Sequence, residues 1–197
     1  MENVGGIAGR VYSSTTNCIS NMSITLNSNA NKYGISNIQY VGGLVGNGVT
    51  ITNCTTNGTI TASASNSFDS YYAQINYVGG LVGTAYTISS SSASGAINIK
   101  SGKSAQYVGG IAGYLRNGVN KSYSTMNISV TPEGQNIGGL AGYGYSTTIN
   151  QCYSTGNVTA ANSSYVGGFL GYGASKIDQS YSCLLYTSDA ADDLIGV

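Results

Sequence analysis

Histidine and tryptophan are absent from the 197 residues, proline occurs once, and only 7% of the residues are charged. A globular enzyme normally carries about a quarter charged residues, and histidine is the commonest general base and metal ligand. These scarcities argue against acid–base and metal chemistry, and no cofactor is expected. No run of 18 apolar residues occurs, so no segment is expected to cross a membrane as a helix. The low charge does not signal disorder. Disorder couples low hydrophobicity to high net charge, whereas 41% of this chain is hydrophobic and the formal charges balance.

Glycine (29 residues) and tyrosine (17) are abundant instead. Much of the glycine belongs to a repeat. VGGIAG opens at Val4, VGGLVG at Val41 and Val78, VGGIAG at Val108, IGGLAG at Ile137 and VGGFLG at Val166, at spacings of 37, 37, 30, 29 and 29 residues. Aligning the copies exposes a small-residue column of Cys18, Cys54, Ser91, Ser122, Cys152 and Ser180. Three residues before it stand Thr15, Ile51, Ile88, Val119, Ile149 and Ile177. After it come Ile24, Ile60, Ile97, Ile128 and Val158, then Leu26, Ala62, Ile99, Val130 and Ala160, alternating with polar residues. Period 2 with Ile, Val and Thr reads as strand, wet on one side.

Each unit is thus one coil of roughly 29 residues with three short strands, unable to bury its own apolar side. The expected fold is all-β: a parallel β-solenoid (β-helix) of about six coils over residues 1–182, the last truncated, each strand pairing with its equivalent in neighbouring coils. About six apolar or small side chains per coil are expected to point inward. Val41 and Leu44, and Ile51 and Cys54, are three apart, which breaks period 2. A corner or bulge must intervene, and Gly42–Gly43 would permit one. A leucine-rich-repeat horseshoe is the alternative, disfavoured by the alternating columns. Because 18 of the 29 glycines fall in the six copies, they are read as backbone packing and turning rather than as a phosphate cradle, which needs a following helix.

Residues 183–197 lack the repeat and hold three of the five aspartates. The stretch CLLYTSDAADD from Cys183 to Asp193 resembles the conceptual translation of a transposase-type sequencing-library adapter, so this tail is expected not to be native. The abrupt start at Met1, without a signal-peptide pattern, leads to the expectation of an internal fragment of a longer protein.

Residues 1–182 carry Arg10, Lys32, Lys100, Lys103, Arg116, Lys121 and Lys176 against Glu2, Asp69, Glu133 and Asp178. The cations are too scattered for a nucleic-acid partner, and the acids too scattered for paired-carboxylate catalysis. Cys18, Cys54 and Cys152 share their column with serines and are read as small buried free thiols rather than as a disulfide, since parallel-stacked side chains rarely meet its dihedral. Tyr40, Tyr77, Tyr107 and Tyr165 precede the repeat string. Tyr114, Tyr143 and Tyr172 follow it, and Tyr123, Tyr153 and Tyr181 follow the small-residue column. They read first as stabilising ladders, second as an exposed strip for stacking sugars or peptides. The surplus length in the first two coils, Asn27–Gln39 and Ser63–Asn76, is expected to project as loops from one edge. Phe68, Tyr71 and Tyr72 are the candidate ligand-binding residues there. Thr50-Ile51-Thr52 is like an ice-binding row, but no regular threonine array continues through the copies.

The copies resemble the GLUG-repeat family, whose unit begins G-[LI]-[VA]-G: GIAG at Gly6, GLVG at Gly43 and Gly80, GIAG at Gly110 and GLAG at Gly139, with GFLG at Gly168 departing. The resemblance implies a segment of a large bacterial cell-surface or secreted protein, an adhesin-like stalk or display module, extracellular and non-catalytic. Its partners would be the flanking repeats of the same chain and host or environmental glycans or surface proteins. Two other readings are the non-catalytic repeat domain of a secreted peptidase or glycan-active enzyme, and a carbohydrate- or protein-binding module using the loops at 27–39 and 63–76. The family also includes IgA-specific metallopeptidases, whose chemistry resides on an HExxH helix outside the repeats. A chain without histidine carries none of it.

Overall fold

The computed structural model describes residues 1–30, 36–66, 73–183 and 186–187. Every strand pairing in it is parallel, and three sheets wrap one core. The first sheet stacks Glu2–Gly5, Ser36–Gly42, Ala73–Gly79, Ser104–Gly109, Gly134–Gly138 and Ser164–Gly167. The second stacks Ala8–Arg10 and Ser14–Thr16 under Val45–Asn47 and Thr50–Thr52, then Val82–Ser89, Ala112–Asn120, Ala141–Asn150 and Leu170–Asp178. The third runs from Ile19–Ser20 and Ile24–Ala30 through Thr55–Asn66, Ser92–Ser101 and Tyr123–Thr131 to Tyr153–Ser154, Val158–Ala160 and Tyr181–Ser182. Tyr186–Thr187, in the tail, pairs with Val158–Thr159 in the position of a third strand. Among the described residues no helix is long and apolar enough to cross a membrane.

The expected columns are the observed register. Val4, Val41, Val78, Val108, Ile137 and Val166 pair in succession. So do Ile24, Ile60, Ile97, Ile128 and Val158. More side chains point inward than the six expected per coil. The coil opening at Val78 buries Val78, Leu81, Val82, Ala85, Ile88, Ala93, Ile97, Ile99 and Ala105. The excess arises because all three sheets face inward and their strands are longer than sequence alternation indicated.

Two left-handed positions recur in every coil, and neither is glycine. One precedes the repeat string: Asn3, Tyr40, Tyr77, Tyr107, Asn136 and Tyr165, at φ between 55° and 59°. The other precedes the small-residue column: Asn17, Asn53, Ser90, Lys121, Gln151 and Gln179. Each inserts one residue that breaks the period-2 alternation, so Ile38 and Val41 are both buried on either side of Tyr40, and Ile51 and Cys54 on either side of Asn53. Between Val41 and Leu44, both buried, the first-sheet strand ends at Gly42 and the chain bends at residues 43–44 before the second-sheet strand opens at Val45, so the expected corner falls at Gly42–Gly43. A Cβ on Gly79 would fall on the Val82 carbonyl oxygen, and one on Gly80 on that of Gly110 in the next coil. These glycines permit both the bend and the close stacking, whereas the left-handed Asn and Tyr residues make the break just ahead of the repeat string.

Serine and cysteine exchange within one column because both are small donors. The Cys54 amide donates to Ser91 Oγ at 3.0 Å, the Ser91 amide to Ser122 Oγ at 3.1 Å, and the Cys152 amide to Ser180 Oγ at 3.0 Å. Ser91 and Ser122 hydroxyls then donate to carbonyls two residues earlier, and the Cys54 and Cys152 thiols do likewise. All four cysteines are free, and burial pushes the thiols of Cys54 and Cys152 above their ordinary range.

The surplus length of the first two coils is only partly loop. Asn27–Ala30 pairs with Ser63–Asn66, and Ser36–Gln39 with Ala73–Asn76, so the third and first strands lengthen there. Phe68, Tyr71 and Tyr72 lie outside the described residues.

Candidate functional site

The last glycine of each repeat string builds the most distinctive surface. A Cβ on Gly83 would lie 2.7 Å from the Tyr77 carbonyl oxygen, and one on Gly113 2.5 Å from that of Tyr107. Without side chains there, the second strand touches the left-handed corner residue of its own coil. Two columns are thereby set side by side. One is the corner series with Tyr40, Tyr77 and Tyr107. The other is Arg10, Asn47, Thr84, Tyr114, Tyr143 and Tyr172, in register along the second sheet.

Tyrosine occupies the corner column at Tyr40, Tyr77, Tyr107 and again at Tyr165, and the second column from Tyr114 through Tyr172. Tyr40, Tyr77 and Tyr107 stack with centroids 4.9 Å apart and planes within 9°. Tyr114 and Tyr143 stack at 5.2 Å and 7°. The two stacks meet edge to face, Tyr107 lying 6.1 Å from Tyr114 at 87° and 5.7 Å from Tyr143 at 86°. Where Thr84 replaces tyrosine, the herringbone opens into a cleft of about 360 Å³ lined by Tyr40, Tyr77, Thr84, Tyr107, Tyr114, Tyr143 and Arg116. Thr84 Oγ1 donates to Asn47 Oδ1 at 3.1 Å. Arg116 is exposed and lies 5.8 Å from the Tyr114 ring centroid. A second compartment of about 160 Å³ shares Thr84 and Arg116 and adds Arg10, Tyr12, Asn47 and Tyr86.

The alignment columns contained these tyrosines, but not their adjacency, because the corner conformation and the glycine contact that create it are invisible in spacing alone. Tyr123, Tyr153 and Tyr181 form a separate ladder on the third sheet, at 4.7 and 5.2 Å. The ladder reading is thus realised for these tyrosines, whereas Tyr172 and Tyr165 meet their neighbours only at tilts of 35° and 48°. Stacking of a sugar within a ladder is precluded, because neighbouring rings already occupy the faces.

The unit from Glu133 to Thr159 contains every part of a coil: first strand, bend, second strand, small-residue corner and the start of the last strand. The family model of the GLUG motif matches residues 133–159. This unit is a GLUG motif. The register carries its glycine bend and Cys152 corner onto equivalent positions in the other coils. Neither a curated protein nor a solved structure matches the chain.

Burial, then the neighbouring phenols of Tyr107, Tyr40 and Tyr114, raises the Tyr77 pKa above its ordinary value of 10.0, with Arg116 opposing. Burial and then Tyr123 and Tyr181 raise Tyr153 in the GLUG unit's ladder. A raised phenol favours the neutral form in the fold. Its stabilisation is complete below the unfolded value and is lost as pH rises towards the folded one. Stability is therefore expected to fall above pH ~10. The double variant Tyr77→Phe/Tyr153→Phe should lose less melting temperature than the parent between pH 8 and pH 11. An equal or larger loss would contradict the assignment.

Proposed function

We propose that the chain is a non-catalytic display module of a bacterial cell-surface or secreted protein, a rigid β-solenoid segment that carries a recognition surface away from its anchor. The observation that carries this reading is the unbroken register of the first sheet's six strands. Five steps of about 4.8 Å give a rod about 24 Å long. The stack couples every coil to its neighbours, so bending requires breaking a rung. An exterior of Ser, Thr and Asn with few charges suits a hydrated extracellular rod, and the GLUG motif at 133–159 supports a repeat module. The absence of histidine and the dispersal of Glu2, Glu133 and Asp178 over three coils support a non-catalytic role.

The test is immunostaining of intact source cells, and assay of their culture medium, with antibodies against the purified chain. Staining of unlysed cells that is removed by added protease, or antigen in the medium, is the expected result. Antigen released only on lysis would overturn the reading.

A further inference from the structure

Stacking covers both faces of Tyr77 and one face each of Tyr40 and Tyr107. Tyr77 can turn only its rim to the cleft, and along the stack the rims, made of ring edges and phenol oxygens, form the wall. Aromatic edges carry the positive part of the ring quadrupole, and neutral phenols donate hydrogen bonds. The Tyr77 hydroxyl is held neutral well past physiological pH. Among the described residues, Arg116 is the only charged one in the lining of the larger compartment, and the smaller one adds Arg10, with no carboxylate in either. Both guanidinium groups lie over tyrosine rings, Arg10 4.6 Å from Tyr12 and Arg116 5.8 Å from Tyr114. Such contacts bias the guanidinium towards the groove without neutralising it.

The arginines and the phenol rims of this groove are complementary to anionic and hydroxyl oxygens. The larger compartment falls in the size range of small-ligand sites, about 300–1,000 Å³. Tyr86, 52% exposed, stands outside both ladders and keeps a ring surface available at the smaller compartment. An aromatic surface, a hydroxyl-lined wall and an unneutralised arginine fit a saccharide that bears an acidic group.

We propose that the two compartments together bind an acidic oligosaccharide. Its carboxylate or sulfate pairs with Arg116 at their junction, its hydroxyls meet the tyrosine rims, and one sugar ring rests on Tyr86. Glycan capture here rests on the extracellular display proposed above for its biological setting. Binding by the purified chain does not depend on cellular location, so the two readings fail separately.

The experiment titrates the purified full chain at low salt with three tetrasaccharides: a sulfated one from heparin, a carboxylated one of galacturonate, and neutral maltotetraose. At least one acidic probe should bind about tenfold or more tightly than the neutral one, and the preferred acid distinguishes sulfate from carboxylate. Arg116→Gln should weaken that binding by about tenfold, the loss of one charge-assisted contact. Lys100→Gln, an exposed cation on the third sheet, should leave it unchanged. Arg116 is exposed, so the variant leaves the core intact. No binding of either acidic probe, equal binding of maltotetraose, unchanged binding in Arg116→Gln, or equal loss in both variants would each overturn the proposal.

Discussion

Replacing Gly110 by alanine is expected to lower the melting temperature by roughly 10 °C, although the change adds one methyl group. The new Cβ would fall on Ser124 Oγ and on the Gly139 carbonyl oxygen of the next coil. The serine hydroxyl has room only to rotate, since Ser124 is fully buried. The carbonyl cannot retreat, because this backbone is tied into the stack through Gly110 N–H to Gly138 O at 3.3 Å and Gly139 N–H to Gly167 O at 3.1 Å. Overpacking costs about 1–3 kcal/mol, and each strained backbone hydrogen bond adds about 1 kcal/mol. A total of about 3–5 kcal/mol corresponds to roughly 10 °C for a chain of this size. Gly118→Ala is the matched control, since its Cβ would meet only the Thr148 carbonyl oxygen at 3.2 Å. Equal melting temperatures for the two variants would show that coil-to-coil contact does not demand glycine at position 110.

Ile97→Ala is expected to have a comparable effect through the opposite fault. Ile97 is fully buried and stacked between Ile60 and Ile128. Its truncation leaves a cavity that backbone hydrogen bonds on both sides prevent from closing. Large-to-small changes of this type cost about 2–5 kcal/mol. In a solenoid each coil contacts only its neighbours, so a weakened central rung loosens both halves. Ile19, 69% exposed at the end of the stack, provides the contrast, and Ile19→Ala should stay within about 0.5 kcal/mol. The account is contradicted if thermal or urea unfolding ranks Ile19→Ala as the more damaging change.

The solenoid was legible because stacking forces like residues onto like residues. The isoleucines at 24, 60, 97 and 128 could be aligned by spacing, and they pair in that order. The left-handed positions were legible only in part. Asn3, Asn17, Asn53 and Asn136 carried the signal, since asparagine tolerates the left-handed region, but Tyr40, Tyr77 and Tyr107 adopt the same conformation. Tyrosine carries no such preference, and its cost of about 1–2 kcal/mol is offset by ring stacking worth about 0.5–1.5 kcal/mol per pair. A local penalty balanced by contacts one coil away leaves no trace in local sequence. The cleft was illegible for the same reason. It exists because the second column carries Asn47 and Thr84 beside Tyr40 and Tyr77 and turns to tyrosine only at Tyr114, an arrangement that becomes visible only when two strands of one coil are placed side by side.

Six coils stack in register and hold the tyrosine columns together. Thr25 and Thr159 test this directly. They are 134 residues apart in sequence, yet both are exposed and lie in one register column through Thr61, Asn98 and Ser129. Four rungs separate them, about 19 Å. Spin labels at Thr25→Cys and Thr159→Cys, with Cys18→Ser and Cys183→Ser to remove the more accessible native thiols, should give one narrow distance peak by double electron–electron resonance, at about 20–25 Å once the label arms are included. A broad distribution centred beyond about 40 Å, as a flexible chain of that length gives, would contradict the stacked solenoid and with it the cleft.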